Sequence, residues 1–175
     1  MTEQGVNPNA RSVPIDGGGR LLSLSELLPA ERIELDVTVD SWQEAIREAG
    51  RLLFETGAVT RDYIEAMIKV VEELGPYVAI GPGIALPHAR SEAGAKQTAL
   101  SLVKLAKPVN FGNPDNDPVY LVFALAAIDK TAHMTALQAL AALFLSKDLM
   151  RQLFDARSKV SVLEVFHQAE QTLGT

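Results

Sequence analysis

Cysteine is absent from the 175 residues, which excludes disulfides and thiolate chemistry on this chain. Histidine is scarce: the three are His88, His133 and His167. With no cysteine and no His-x-x-x-His pair they make a poor zinc site, so no metal is expected. No cofactor is implied either. Gly81 and Gly83 lack the Lys-Ser/Thr ending of a phosphate loop and the spacing of a dinucleotide fingerprint. No Gly-x-Ser-x-Gly elbow exists, which disfavours a Ser/His/Asp hydrolase. No apolar run reaches the length of a membrane-spanning helix, and the start of the chain lacks the apolar region of a signal peptide. A cytoplasmic protein without direct membrane insertion is the expectation. Sixteen basic residues against twenty-two acidic ones give a net charge of −6, which argues against a nucleic-acid-binding surface but not against a local basic patch.

What is present suits one domain. Hydrophobic residues make up 47% of the chain, enough to fill a core at this length. Residues 1–20 are polar, with the run Gly17-Gly18-Gly19, and read as a flexible tail; residues 21–175 read as a single domain. Leu21 to Leu28 can form a short helical turn before Pro29, and Ile33 to Val37 alternates as a first strand. Ser41-Trp42-Gln43-Glu44 is a capping box. The helix it opens puts Trp42, Ala45, Ile46, Ala49, Leu52 and Leu53 on one face and ends at Gly57. Trp42 at that spacing reads as core. A second helix runs from Thr60 or Arg61 to Leu74, with Ile64, Met67, Ile68 and Val71 inward.

Beyond Gly75 the period becomes extended. Val78-Ala79-Ile80 and Ile84-Ala85-Leu86 flank a Gly81-Pro82-Gly83 turn. Thr98 to Leu105 reads as a strand closed by Lys107-Pro108, and Val119 to Ala127 as a strand buried on both faces. The intervening Gly112 to Pro118 is rich in Asp and Asn. Its spacing matches no EF-hand and lacks the closing Glu, so a turn is the better reading than a calcium loop. Asp129 or Thr131 can cap a helix whose inner stripe is read as Met134, Leu137, Leu140, Ala141 and Phe144, with His133 in its first turn. Two further helices span Lys147 to Phe154 and Val160 to Gln168; His167, in the second, reads as a surface residue.

Chemistry concentrates at Leu86-Pro87-His88-Ala89-Arg90. Proline fixes its own φ and donates nothing to a sheet, so the strand should end at Pro87 and hold His88 where a rigid element meets a loop. Arg90 is close enough in sequence to place a planar cation beside the imidazole. By itself a histidine after proline at a strand end is more often a surface turn residue. At a helix start, the protonated form of His133 is disfavoured by the dipole, and the free N–H groups there suit an anion.

Leu86-Pro87-His88-Ala89, preceded by Gly83-Ile84-Ala85, resembles the phosphorylation-site signature of enzyme IIA domains of the mannitol/fructose class. These belong to the bacterial phosphoenolpyruvate-dependent sugar phosphotransferase system. With Pro108-Val109-Asn110-Phe111-Gly112 and Ala126-Ala127-Ile128-Asp129 through His133, the run is most similar to the ascorbate-type branch. The resemblance covers roughly residues 22–171. It implies an α/β fold, a three-layer α/β/α sandwich with a mixed central sheet. The implied order is β-α-α-β-β-β-α-α-α, with three or four strands in the middle run. It implies that His88 accepts phosphate from the carrier protein HPr and passes it to a cysteine of a IIB partner, which serves a membrane IIC transporter. It implies that His133 helps bind or orient the phosphate; Arg90 as a phosphate contact rests on charge and proximity. The alternative is a nitrogen-type regulatory IIA protein, which shares the signature histidine.

Overall fold

The computed structural model describes residues 23–173. The expected tail, residues 1–20, lies outside the described residues, as do Leu21 and Leu22 at the start of the expected helical turn.

Five strands form one mixed sheet in the order β1-β4-β5-β3-β2: β1 (Ile33–Val37), β2 (Ala79–Gly81), β3 (Ile84–Ala85), β4 (Ala99–Val109) and β5 (Val119–Ala126). The β4–β5 and β2–β3 pairs are antiparallel, while β1–β4 and β3–β5 are parallel. Alternation along β5 explains the layers. Leu121, Phe123 and Leu125 enter one core and Val122, Ala124 and Ala126 the other, as a side-chain period of two requires. The first core is closed by α1 (Leu24–Leu27), α4 (Lys130–Phe144), α5 (Lys147–Asp155) and α6 (Lys159–Leu173). The second is closed by α2 (Trp42–Glu55) and α3 (Arg61–Leu74). This is the expected three-layer sandwich. Four strands fill the middle run, since the Gly81-Pro82-Gly83 turn separates β2 from β3, and a short helix precedes β1. No helix among the described residues is long and apolar enough to cross a membrane.

The local signals work as their chemistry demands. The Ser41 hydroxyl accepts from the Glu44 amide at 3.2 Å, but the Glu44 carboxylate reaches past the cap to the Asp40 N–H at 2.8 Å. At the other end of α2, Ala58 N–H bonds to Leu53 O and Gly57 N–H to Phe54 O, with Gly57 at φ 79°. That double closure needs a left-handed residue, and glycine takes it without a Cβ clash. Trp42 is half-buried rather than enclosed, and its ring lies 6.1 Å from that of Phe111.

Two expectations are corrected. Strand β4 does not close at Lys107-Pro108 but runs to Val109, which pairs with Val119. Its pairing with β1 ends at Leu105, so Pro108 lies where no second neighbour needs its missing N–H. The inner stripe of α4 is also turned from the expected one. Ala132, Thr135, Ala136, Ala139, Leu140 and Leu143 are buried, whereas Met134 is 54% exposed and Ala141 faces out. Apolar residues occupy nearly every face of this helix, so the small alanines that permit close approach to the sheet set its rotation.

The Asp-rich loop is a turn that grips the edge hairpin. The Asp117 carboxylate accepts from the amides of Phe111, Gly112 and Asn113 at 2.8, 2.9 and 2.9 Å. The Asn116 side chain donates to Ala79 O at 2.7 Å, and Asn116 O accepts from Gly83 N–H at 2.9 Å. Gly83, at φ 78°, completes the Pro82-Gly83 turn, and a Cβ there would sit 3.1 Å from the Phe154 ring. Replacing Asp117 by Ala strands the amides it serves and should lower stability by about 2 kcal/mol. Urea denaturation of Asp117→Ala checks this; a midpoint equal to that of the unchanged protein would contradict it.

Candidate active site

Regular pairing of β3 stops at Ala85, two residues earlier than Pro87, yet the segment that follows stays against β5. Leu86 N–H bonds to Val78 O at 2.8 Å, Leu125 N–H bonds to Pro87 O at 3.0 Å, and His88 bridges Leu125 in parallel register. The pairs Ile84–Leu121, Ala85–Val122 and His88–Leu125 keep one unbroken register. Proline interrupts the ladder as a donor but still accepts through its carbonyl. Alternation then fixes direction: Ile84 and Leu86 enter the core under α4 to α6, and His88 continues that row beyond the end of the core.

The same edge of the sheet delivers the second histidine. Strand β5 ends at Ala126, and the Asp129 carboxylate caps α4 by accepting from the Ala132 amide at 2.8 Å. His133 follows in the first turn, its own N–H bonded to Asp129 O at 3.0 Å. The two imidazole rings face each other with centroids 5.0 Å apart and planes inclined at 44°. Both rings are half-buried, which leaves each one reachable.

Hydrogen bonding assigns the tautomer of His88. Nδ1 lies 2.8 Å from the Leu86 carbonyl oxygen, which can only accept. Nδ1 therefore carries the proton, and the neutral ring presents the lone pair of Nε2. Burial, and secondarily the proximity of His88, holds His133 below the usual imidazole range. The direction matches the expectation from its place in the helix, but the main cause is loss of hydration.

Arg90 is not drawn into this pair. It is exposed at the start of the 3-10 turn Ser91–Ala93, and its guanidinium has no hydrogen bond or ion pair among the described residues. His167 lies far along α6, exposed, with Nδ1 3.6 Å from a Glu170 oxygen. The residue that sequence reasoning missed is Tyr63. It is fully buried in α3, its hydroxyl donates to Leu125 O at 2.7 Å, and it accepts from the Ala89 amide at 3.1 Å. Burial pushes its phenol up to about 12, so it stays a neutral hydroxyl. Its position three residues after Thr60 put it on the inward face of α3, but a lone tyrosine there reads as packing.

The two histidines thus meet outside the carboxyl ends of the parallel strands β3 and β5, the edge at which open α/β sheets take their ligands. Residues 26–169 match the family described as phosphoenolpyruvate-dependent sugar phosphotransferase system, EIIA 2, and the chain belongs to that family. The ascorbate-specific PTS system EIIA component of Escherichia coli (strain K12) is 37% identical over 134 residues, covering 76% of this chain and 87% of the relative. Among solved structures, the mannitol-specific cryptic phosphotransferase enzyme IIA of Escherichia coli is 33% identical, with a TM-score of 0.76. That match covers 84% of this chain and 99% of the other. The enzyme IIAMTL of Escherichia coli, solved in complex with phosphorylated enzyme IIBMTL, is 29% identical, with a TM-score of 0.70. Its match covers 81% of this chain and 99% of that one.

The depressed His133 has a consequence for stability. Its unfolded form takes up a proton near pH 6.5 while the folded form resists until lower pH, so folding binds fewer protons in that window. Stability should therefore fall as the pH drops below about 6.5, down to the folded value, and His133→Gln should flatten that part of the curve. Denaturation midpoints between pH 7.5 and 5 test this, as a difference between the two proteins; parallel curves would contradict it.

Proposed function

We propose that this protein is the IIA phosphocarrier of a sugar phosphotransferase system, accepting phosphate on His88 from phospho-HPr and passing it to a cysteine of a IIB partner. The observation that carries the reading is the Nδ1–H bond of His88 to Leu86 O at 2.8 Å, which leaves Nε2 as the free nucleophile. In the forward step the Nε2 lone pair attacks phosphorus, a new N–P bond forms, and the N–P bond of the donor breaks with its electron pair returning to the donor imidazole. No proton has to leave His88, because Nε2 carries none. In the second step a thiolate of the partner attacks the same phosphorus in line, and Nε2 leaves with its pair. Keeping Nδ1–H on a carbonyl through both steps holds the ring at one angle and tempers the positive charge that the phosphorylated ring would otherwise bear.

His133 donates an N–H to a phosphoryl oxygen in this reading, which its ring centroid 5.0 Å from that of His88 supports. Its neutrality near pH 7 suits a carrier that must release the group again. Arg90 is a further phosphoryl contact in this reading; its unengaged guanidinium can swing to a dianion without breaking an existing pair. Asp129 and Lys130, exposed beside His133, and Ala89 and Ser91, beside His88, form the rim that HPr and IIB meet in turn. The carrier unit is residues 21–175, working in the cytoplasm with a IIB component and a membrane IIC, with ascorbate as the sugar favoured by the similarity to ascorbate-specific components.

Radiolabelled phosphoenolpyruvate with enzyme I and HPr tests the assignment. The unchanged protein should label on His88, and His88→Ala should fold but stay unlabelled. His133→Ala should still label, with onward transfer to an ascorbate-type IIB slower by roughly 10–100-fold. Full labelling of His88→Ala, or phosphate mapped to His133, would overturn the roles. A labelled protein that passes phosphate to no IIB would favour the regulatory alternative.

A further inference from the structure

The geometry points to Tyr63 as a positioning residue for phosphoryl transfer, acting through the sheet from the face opposite His88. The inference rests on the phosphocarrier reading and extends it to a residue that touches neither histidine ring.

Ala89 packs with the α2–α3 core, the face opposite the one His88 points to, as the two-residue period requires. There the regular ladder has run out: Leu125 N–H is taken by Pro87 O, and His88 is the last bridged residue. The Tyr63 hydroxyl fills the gap. It accepts the Ala89 N–H at 3.1 Å and donates to Leu125 O at 2.7 Å, with Ala89 O a second, longer option at 3.3 Å. One oxygen atom thus joins the residue that follows His88 to the strand that leads into α4 and His133. The hydroxyl is enclosed, so its removal takes a hydrogen bond from the Ala89 N–H and a buried one from Leu125 O.

The rest of the loop is anchored to the same helix hairpin. Thr60 N–H bonds to Gly94 O at 2.9 Å, and the amides of Lys96 and Gln97 bond to Ala58 O at 2.8 and 3.1 Å. These anchors lie several residues beyond the site. Tyr63 supplies the hydrogen bond between that hairpin and the residue adjoining His88, and without it residues 89–93 are held there only by the packing of Ala89 and Ala93. A freer loop loosens the angle of the His88 ring and lets Nδ1 leave Leu86 O, so both tautomers become populated and the fraction with a free Nε2 falls.

Tyr63→Phe keeps the ring and removes the oxygen, and Ser101→Ala is the control. Ser101 also buries a hydroxyl, bonded to Ala49 O at 2.7 Å, but on β4. Labelling by phospho-HPr is measured for each full chain over a range of donor concentrations. Ring nitrogen shifts of His88 are read by NMR. The expectation for Tyr63→Phe is a kcat lower by roughly tenfold at little-changed KM, with a mixed His88 tautomer; Ser101→Ala should alter neither. A Tyr63→Phe protein with unchanged kcat and a pure Nδ1–H tautomer would overturn the proposal, as would an equal loss in Ser101→Ala. Amide exchange in the unchanged protein is the second measurement, informative even if Tyr63→Phe does not fold. Ala89 N–H should be protected, and exchange at the rate of an open loop would overturn the proposal. If the unchanged protein fails to label on His88, the phosphocarrier reading fails by itself, while the tautomer and exchange data still decide what Tyr63 holds.

Discussion

The bond from His88 Nδ1 to the carbonyl of Leu86 spans only two residues, yet it depends on most of the sheet. That carbonyl is held in place because Leu86 N–H bonds to Val78 O on one side and Pro87 O receives Leu125 N–H on the other. Val78 precedes the short edge strand β2, which has little pairing of its own and would fray without help. The loop from Gly112 to Pro118 supplies it: Asp117 ties the loop to itself, and Asn113 and Asn116 tie it to Pro76 and Ala79. A single ring orientation is thus the end of a chain of main-chain bonds that begins at the far side of the hairpin.

The opposite support comes from the helices. Capping by Asp129 fixes where α4 starts and therefore where His133 stands. Close to the other end of the sandwich, the Lys104 ammonium from β4 donates to the carbonyls of Phe154 and Ala156, closing the C-terminal end of α5, and burial holds its pKa below the ordinary lysine value. Phe154 in turn lies against the turn at Gly83. The hairpin that carries the site is pressed between α5 and the loop before β5.

Much of this was legible from sequence because the signals are local. Ser41 with Glu44, Gly57, Gly75 and the Pro82-Gly83 turn act over a few residues and gave α2, α3 and the β2–β3 hairpin nearly to the residue. The pairing of His88 with His133 was named through family resemblance, and the structure puts the two rings side by side. What was not legible depended on neighbours distant in sequence. The rotation of α4 was misread because apolar residues surround that helix, and only its packing on the sheet selects Ala136 over Met134. Pro108 looked like a strand end because its lack of a second partner is a fact of topology. Tyr63 carried no motif, and its role depends on Leu125 and Ala89, 62 and 26 residues away.

The attachments that hold Leu86 and Pro87 run from one peptide group to another: Val78 O, Leu86 N–H, Pro87 O and Leu125 N–H. Peptide groups are common to all residues but the amide of proline, so point substitution rarely deletes them. A lineage inheriting this sandwich inherits the cradle with it, whatever side chains it later acquires on the surrounding rim. Exposed residues such as Arg90, Glu92 or Lys130 can then be exchanged while the orientation of the His88 ring stays written into the backbone.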